Sequence, residues 1–88
     1  MAEINVTALD DGTFRVVVDG TSEHNVRVPD DYVTRLGVAD IDHAELVRES
    51  FVFLLEREPK ESIMRSFELS VIERYFPDYP DEIVRRLR

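Results

Sequence analysis

The sequence contains no cysteine and only three glycines in 88 residues. Without cysteine the chain forms no disulfide and offers no thiolate to a structural zinc ion. His24 and His43 are the only two histidines, which is too few for a zinc site built from nitrogen ligands. The glycines are far apart in the chain, so there is no glycine-rich loop of the kind that cradles phosphate. These absences predict no cofactor and no metal.

Long apolar runs are also missing. The longest runs from Phe51 to Leu55, whereas a helix that spans a bilayer needs roughly 20 apolar residues. The first residues lack the basic and apolar regions of a secretory signal peptide. Together with the absence of cysteine, these features predict a cytoplasmic protein that does not contact a membrane.

Basic residues are scarce, 11 against 19 acidic ones, for a net charge of −8. A negative field opposes the approach of phosphate groups, which disfavours nucleic acid as a partner. Arg85, Arg86 and Arg88 form the one basic cluster, and we interpret them as complementing the dipole of a C-terminal helix rather than as a phosphate-binding tail. Lys60 is the only lysine, a bias that either a GC-rich genome or salt adaptation would produce.

The first third of the chain alternates between apolar and polar residues. Such alternation, interrupted by Asp-Gly turns, is typical of β-hairpins with one face on the core. It predicts a three-stranded antiparallel β-meander over residues 1–28. The apolar positions of the three strands are Ile4, Val6 and Ala8, then Phe14, Val16 and Val18, then His24, Val26 and Val28.

The remainder of the chain has helical periodicity. Asp30 or Asp31 is expected to cap a first helical turn that Gly37 ends. Asp42, with Glu45 three residues later, predicts the start of the longest helix. This longest helix is predicted over His43–Arg57. Three further helices are predicted over Lys60–Phe67, over Val71–Phe76 with Ser70 as its cap, and over Asp81–Leu87.

These elements predict one α+β domain over residues 1–88. The meander of residues 1–28 packs on a helical part, residues 30–88, of four to five short helices. A chain of this length buries only roughly 60–65% of the surface that its unfolded form exposes. Its core is therefore small, and association with a partner chain is a common remedy.

The helix His43–Arg57 is apolar on more than one face. Leu46 and Phe53 lie nearly opposite its main apolar stripe, and Val52 falls between the two. The helix is therefore either central in the domain or shared with a second chain. Because the core is small, we expect these three residues to form an interface. The main stripe consists of Ala44, Val47, Phe51, Leu54 and Leu55.

A second candidate interface is the aromatic run from Tyr75 to Pro80. The run fits either a packed hinge between two short helices, which is the favoured interpretation, or an exposed docking surface, since tyrosine often anchors protein contacts. If the run is an exposed docking surface, Tyr75 and Tyr79 are further candidate interface residues.

No combination of residues indicates catalysis. His24 falls on the apolar parity of a strand, which favours a half-buried, hydrogen-bonded role, and His43 lies at a helix start. The acidic pairs Asp10-Asp11 and Asp30-Asp31 occupy turn and cap positions that favour aspartate for backbone reasons. We therefore predict that the chain is not an enzyme.

From Ser50 onward the sequence SFVFLLEREPKESIMRSFELSVIERYFPDYPDEI resembles a group of short prokaryotic proteins of unassigned function. They share the pattern S-F-x-F-L-L-E-R-E-P followed by Y-F-P-x-Y. The order of elements, three strands and then a helix, is similar to that of antitoxins that pair a partial ribonuclease-H-like sheet with a toxin. The first resemblance implies no activity, and the second implies a protein partner.

The sequence leads to two functional hypotheses. In the first, the chain is a non-enzymatic protein-interaction module that forms a homodimer through the helix His43–Arg57. In the second, it is an antitoxin-like or regulatory partner of a basic protein, to which its net charge of −8 would steer it.

Overall fold

The computed structural model describes residues 2–88 and has the predicted α+β architecture. Its sheet contains four strands in the order β1-β2-β3-β4. The first three strands pair antiparallel, which confirms the meander, and the fourth pairs parallel to the third. The strands are β1 (Ile4–Ala8), β2 (Thr13–Val18), β3 (Ser22–Arg27) and β4 (Ser66–Glu68).

The β2–β3 turn shows why the meander forms where the sequence predicts it. Asp19 and Gly20 both have positive φ, 55° and 70°, and the Thr21 N–H donates to the Val18 carbonyl at 3.1 Å. This conformation matches the right-handed twist of a two-strand ribbon and favours Asp-Gly. The turn therefore sets the register of β3 on β2.

The fourth strand replaces a predicted helix. The spacing of Ile63 and Phe67 predicted a helix over Lys60–Phe67, but the chain forms one 3₁₀ turn, Lys60–Ser62, and then β4. Phe67 lies opposite Val26 of β3. The prediction was wrong because two apolar residues four apart also fit a loop residue followed by an inward strand residue.

The helical part contains four α-helices within the described residues, and none is long and apolar enough to cross a bilayer. The Asp42 carboxylate accepts the Ala44 N–H at 3.0 Å, so Asp42 is the predicted cap. Gly37, at φ 78°, ends the first helix as expected. The helices are α1 (Asp30–Leu36), α2 (His43–Leu55), α3 (Val71–Tyr75) and α4 (Tyr79–Leu87).

One predicted cap is wrong, and another, Ser70, occupies the N-cap position of α3 as predicted but lacks the expected hydrogen bond. Pro29 occupies the N-cap position of α1, so Asp30 and Asp31 lie in the first turn, where they complement the helix dipole instead. The Ser70 side chain makes no capping hydrogen bond to α3. Glu73, its expected capping partner, accepts a hydrogen bond from the Tyr32 hydroxyl at 2.8 Å and so ties α3 to α1.

Helix α2 is central in the domain, with buried residues on two faces. On the sheet side Phe51 packs against His24, with ring centroids 5.3 Å apart. On the other side Phe53 meets Phe76 and Tyr79 edge-on, at 5.8 and 5.3 Å. The second apolar face of α2 is therefore covered by the chain's own C-terminal segment.

The C-terminal arginines bind within the chain. Arg86 bonds Glu56 at the end of α2 at 2.6 Å, and Arg88 bonds Asp40 in the α1–α2 loop at 2.7 Å. These hydrogen bonds lower the pKa of both carboxyl groups from their usual values. Arg85 pairs with Glu82 inside α4. The cluster thus helps to fasten α4 to the rest of the fold.

A buried hydroxyl pair joins α2 to α4. Ser50 Oγ lies 2.7 Å from the Leu46 carbonyl and 2.7 Å from the Tyr79 hydroxyl. A carbonyl only accepts, so Ser50 donates to Leu46 and the Tyr79 hydroxyl donates to Ser50. Both side chains have no exposed area.

We predict that Ser50→Ala lowers the free energy of unfolding by about 1–3 kcal/mol, because it leaves the Tyr79 hydroxyl buried without a partner. In a Tyr79→Phe background the same change should cost less. Urea denaturation of the two single variants and the double variant measures both costs, and Ser66→Ala on the exposed strand β4 is the control. If Ser50→Ala lowered the free energy of unfolding equally in both backgrounds, the hydrogen bond between Ser50 and Tyr79 would be contradicted.

Burial also changes the titration of two tyrosines. Tyr32 and Tyr79 are 3% and 0% exposed. Burial, with the nearby Glu73 carboxylate, raises the pKa of both hydroxyls well above the ordinary value of 10.0. The folded chain holds these protons more tightly than the unfolded chain does. The resulting contribution to the free energy of unfolding is fully present below about pH 10 and is lost as the pH rises above it.

We therefore predict that stability falls above about pH 10, by up to about 1.4 kcal/mol per pH unit for each of these tyrosines. Urea denaturation at a series of alkaline pH values measures the slope. Tyr32→Phe should make the slope shallower, because one of the two groups no longer titrates. An unchanged slope would show that Tyr32 does not contribute.

Candidate functional site

An apolar groove of about 220 Å³ lies where the end of α2 meets β4 and α3. Leu54, Ile63 and Ile72 form its floor and are at most 5% exposed. The half-buried walls are Phe67, Val71 and Phe76, and Ser62 and Glu58 complete the lining.

The rim of the groove carries exposed apolar side chains. Met64 is 43% exposed and Tyr75 is 67% exposed. Leu9, at the β1–β2 turn, is the only other large apolar side chain in residues 2–88 that is exposed to this degree. Exposed apolar groups gathered around a concave surface are typical of a site that binds another molecule.

The fold leaves this groove open because the segments around it are short. Helix α3 has five residues and ends at Tyr75, with Phe76 as its C-cap just before Pro77. Strand β4 has three residues and pairs only with the end of β3. Neither element is long enough to cover the apolar surface at the end of α2.

Among residues 2–88, Glu58 is the only charged side chain that lines the groove. It is half-buried, and no Lys, Arg or His nitrogen of residues 2–88 forms an ion pair with it. Arg65 and Arg74 are chain neighbours of the two rim residues, but neither lines the groove, and Arg65 faces a different cleft. The groove is therefore apolar with one acidic group.

That second cleft, of about 400 Å³, contains His24. Nδ1 of His24 lies 2.8 Å from the Met64 carbonyl, and Nε2 lies 2.5 Å from Ser22 Oγ. Because the carbonyl only accepts, Nδ1 donates to it, and Nε2 shares the second hydrogen bond with the serine hydroxyl. His24 is 1% exposed, so it is more deeply buried than the sequence predicted and is hydrogen-bonded as expected.

The hydrogen-bonded series of Ser22, His24 and the Met64 carbonyl resembles a catalytic triad, in which a serine nucleophile contacts a histidine base. The third member here is an uncharged carbonyl, which stabilises an imidazolium much less than the carboxylate of a triad does. Glu23 and Glu61 line the same cleft, yet neither hydrogen-bonds to His24. We interpret His24 as a structural tie that holds the segment with Met64 to β3.

The structure separates the five predicted interface residues. Leu46, Phe53 and Tyr79 have no exposed area, so in this fold they belong to the core and are not available to a partner; Phe53 and Tyr79 pack against each other. Val52 is half-buried and does not line the groove. Tyr75 is the one residue of the five at the candidate site. The aromatic run is thus a packed hinge at Tyr79 and an exposed surface at Tyr75.

The comparisons with known proteins gave no match. Neither models of protein families, nor curated proteins, nor solved structures matched the chain. In residues 2–88, no three His, Asp or Glu side chains are grouped so that they could hold a metal ion. The function must be argued from the geometry of the groove.

Sequence reasoning missed Glu58, Met64 and Phe67 as members of one site. A usable signal was Met64 itself, an apolar residue that follows Ile63 within an otherwise polar stretch. The predicted helix over Lys60–Phe67 contained Met64, so its exposure at a binding site was not considered. Only the strand β4 brings this stretch beside α3.

We predict that His24→Leu lowers the free energy of unfolding by about 2–4 kcal/mol, because two hydrogen bonds are lost and the Met64 carbonyl loses its side-chain partner. Ser22→Ala removes only one of these bonds and should cost about 1 kcal/mol. Amide exchange of Asn25, which donates to the Arg65 carbonyl at 2.6 Å, should accelerate in His24→Leu. Equal costs for the two variants would contradict the role of the Met64 contact.

Proposed function

We propose that the chain is a non-enzymatic protein-interaction module that binds a basic partner protein through the apolar groove. The observation that carries the proposal is the pair of exposed rim residues, Met64 and Tyr75, over a buried apolar floor. Tyrosine and methionine are both enriched at the centres of protein interfaces. On burial by a partner, they would contribute most of the contact energy.

The size of the groove supports a protein partner. About 220 Å³ lies below the range of roughly 300–1,000 Å³ that is usual for small-molecule sites. A groove of this size suits one large side chain of a partner better than a cofactor. The engagement of both His24 nitrogens supports the non-enzymatic part of the proposal.

The charge of the chain supports a basic partner. The net charge is −8, and the arginines at the C-terminus are already engaged with Glu56, Glu82 and Asp40. A negative surface accelerates encounter with a positive protein and suppresses encounter with other acidic proteins. We place the complex in the cytoplasm, as the cysteine-free composition suggests.

The same charge opposes the homodimer. Two copies would each carry −8 and repel each other at low ionic strength. The surface of α2 on which the homodimer hypothesis relied is also covered by the chain itself. A regulatory partner of a basic protein, the second hypothesis from the sequence, is therefore the favoured version.

We predict that Met64→Ser and Tyr75→Ser each weaken binding to the natural partner by at least tenfold, as expected for interface anchors. Leu9→Ser is the matched control, since Leu9 is 39% exposed against 43% for Met64. The partner is captured from cells that make the chain, identified by mass spectrometry and purified. Calorimetry then gives its affinity for each variant.

Equal affinity of the Leu9 and Met64 variants would overturn the proposal, as would an acidic partner. Sedimentation across a concentration series provides a second test. A monomer at tens of micromolar is expected. A dimer that Met64→Ser dissociates would assign the groove to a second copy of the chain instead.

A further inference from the structure

We infer that the groove recognises a large apolar side chain whose immediate neighbour in the partner is Arg or Lys, and that Glu58 accepts a hydrogen bond from that cation. The inference rests on the proposed function and specifies the chemistry of the bound segment. It follows from the position of one carboxylate in a groove whose lining is otherwise uncharged and mostly apolar.

The backbone around Glu58 is well fixed. Its N–H donates to the Leu54 carbonyl at 2.9 Å, which ties Glu58 back to α2 three residues beyond the end of the helix at Leu55. Pro59 follows in an extended conformation, with φ −70° and ψ 156°. Glu58 is therefore held at the corner where the chain leaves α2, next to the groove floor at Leu54.

Neighbouring acidic residues differ from Glu58 because they are already paired. Glu56 bonds Arg86 at 2.6 Å, and Glu61 lies 3.6 Å from the Lys60 ammonium. Glu58 is half-buried and has no such cation in the described part of the chain. The closest cation in sequence, Arg57, bonds Asp78 and lies over the Phe53 ring.

A partner that fills the groove removes water from Glu58. Burying a carboxylate without a hydrogen-bonding partner is costly, so a segment that brings no donor is penalised, and one that brings a cation is favoured. Arginine suits this role best, because its planar group can donate two parallel hydrogen bonds to one carboxylate.

The small size of the groove places the cation close to the apolar anchor. At about 220 Å³, the groove suits one large side chain, and Glu58 belongs to the same lining. Consecutive Cα atoms are 3.8 Å apart, so adjacent residues of a turned or helical segment can reach both the floor and the carboxylate, whereas in an extended segment their side chains would point to opposite faces. The recognised unit is therefore a dipeptide, an aromatic or large aliphatic residue beside a basic one.

The test uses three N-acetylated, C-amidated dipeptides, Phe-Arg, Phe-Glu and Ala-Arg, titrated into the isotopically labelled chain and followed by NMR. Phe-Arg should shift the amides of Phe67, Val71 and Tyr75 with saturation. Phe-Glu and Ala-Arg should bind at least about fivefold more weakly, because each lacks one of the two contacts.

Glu58→Gln should lower the affinity for Phe-Arg by about fivefold and leave the affinity for Phe-Glu unchanged or higher. Glu61→Gln is the matched control, since Glu61 lines the other cleft, and it should leave Phe-Arg binding unchanged. Equal binding of Phe-Arg and Phe-Glu, with no effect of Glu58→Gln, would overturn this inference but leave the groove as a docking site. If none of the three peptides gave saturable shifts, the groove would not be a binding site. That result would overturn both this inference and the proposed function.

Discussion

The burial of α2 between two layers is the constraint on which the rest of the structure depends. Phe51 packs toward the sheet, and Phe53 packs toward Phe76 and Tyr79 on the opposite side. In a chain of 88 residues a single helix therefore acts as the centre of the core. The C-terminal segment is placed by the apolar face that α2 would otherwise expose, since apolar burial is the dominant favourable term in folding.

The C-terminal segment has to cover α2 with little chain. Helix α4 does so closely, fixed by the Ser50–Tyr79 hydroxyl pair and by Arg86 on Glu56. Helix α3 has only five residues and covers the end of α2 incompletely. The groove with Met64 and Tyr75 at its rim is the consequence. The candidate site is thus the place where the short elements α3 and β4 leave apolar surface of the fold exposed.

Much of the fold could be predicted because it depends on local chemistry. The Asp-Gly turn at Asp19 and the caps at Gly37 and Asp42 act within a few residues, and the alternation of the first strands acts over short range. Strand β4 could not be predicted in this way, because its hydrogen bonds come from β3, about forty residues earlier in the chain. The groove depends on β4, so only Tyr75 of its residues was anticipated.

The apolar pattern of α2 indicated correctly that the helix is covered on two sides, since 3.6-residue periodicity is a property of the sequence alone. Which molecule provides the second cover is not encoded in that pattern. The chain folds α4 back onto Phe53, so Leu46, Phe53 and Tyr79 became core and Met64 and Tyr75 became surface. Periodicity shows how much surface a helix must hide, whereas long-range packing decides what hides it and what is left exposed.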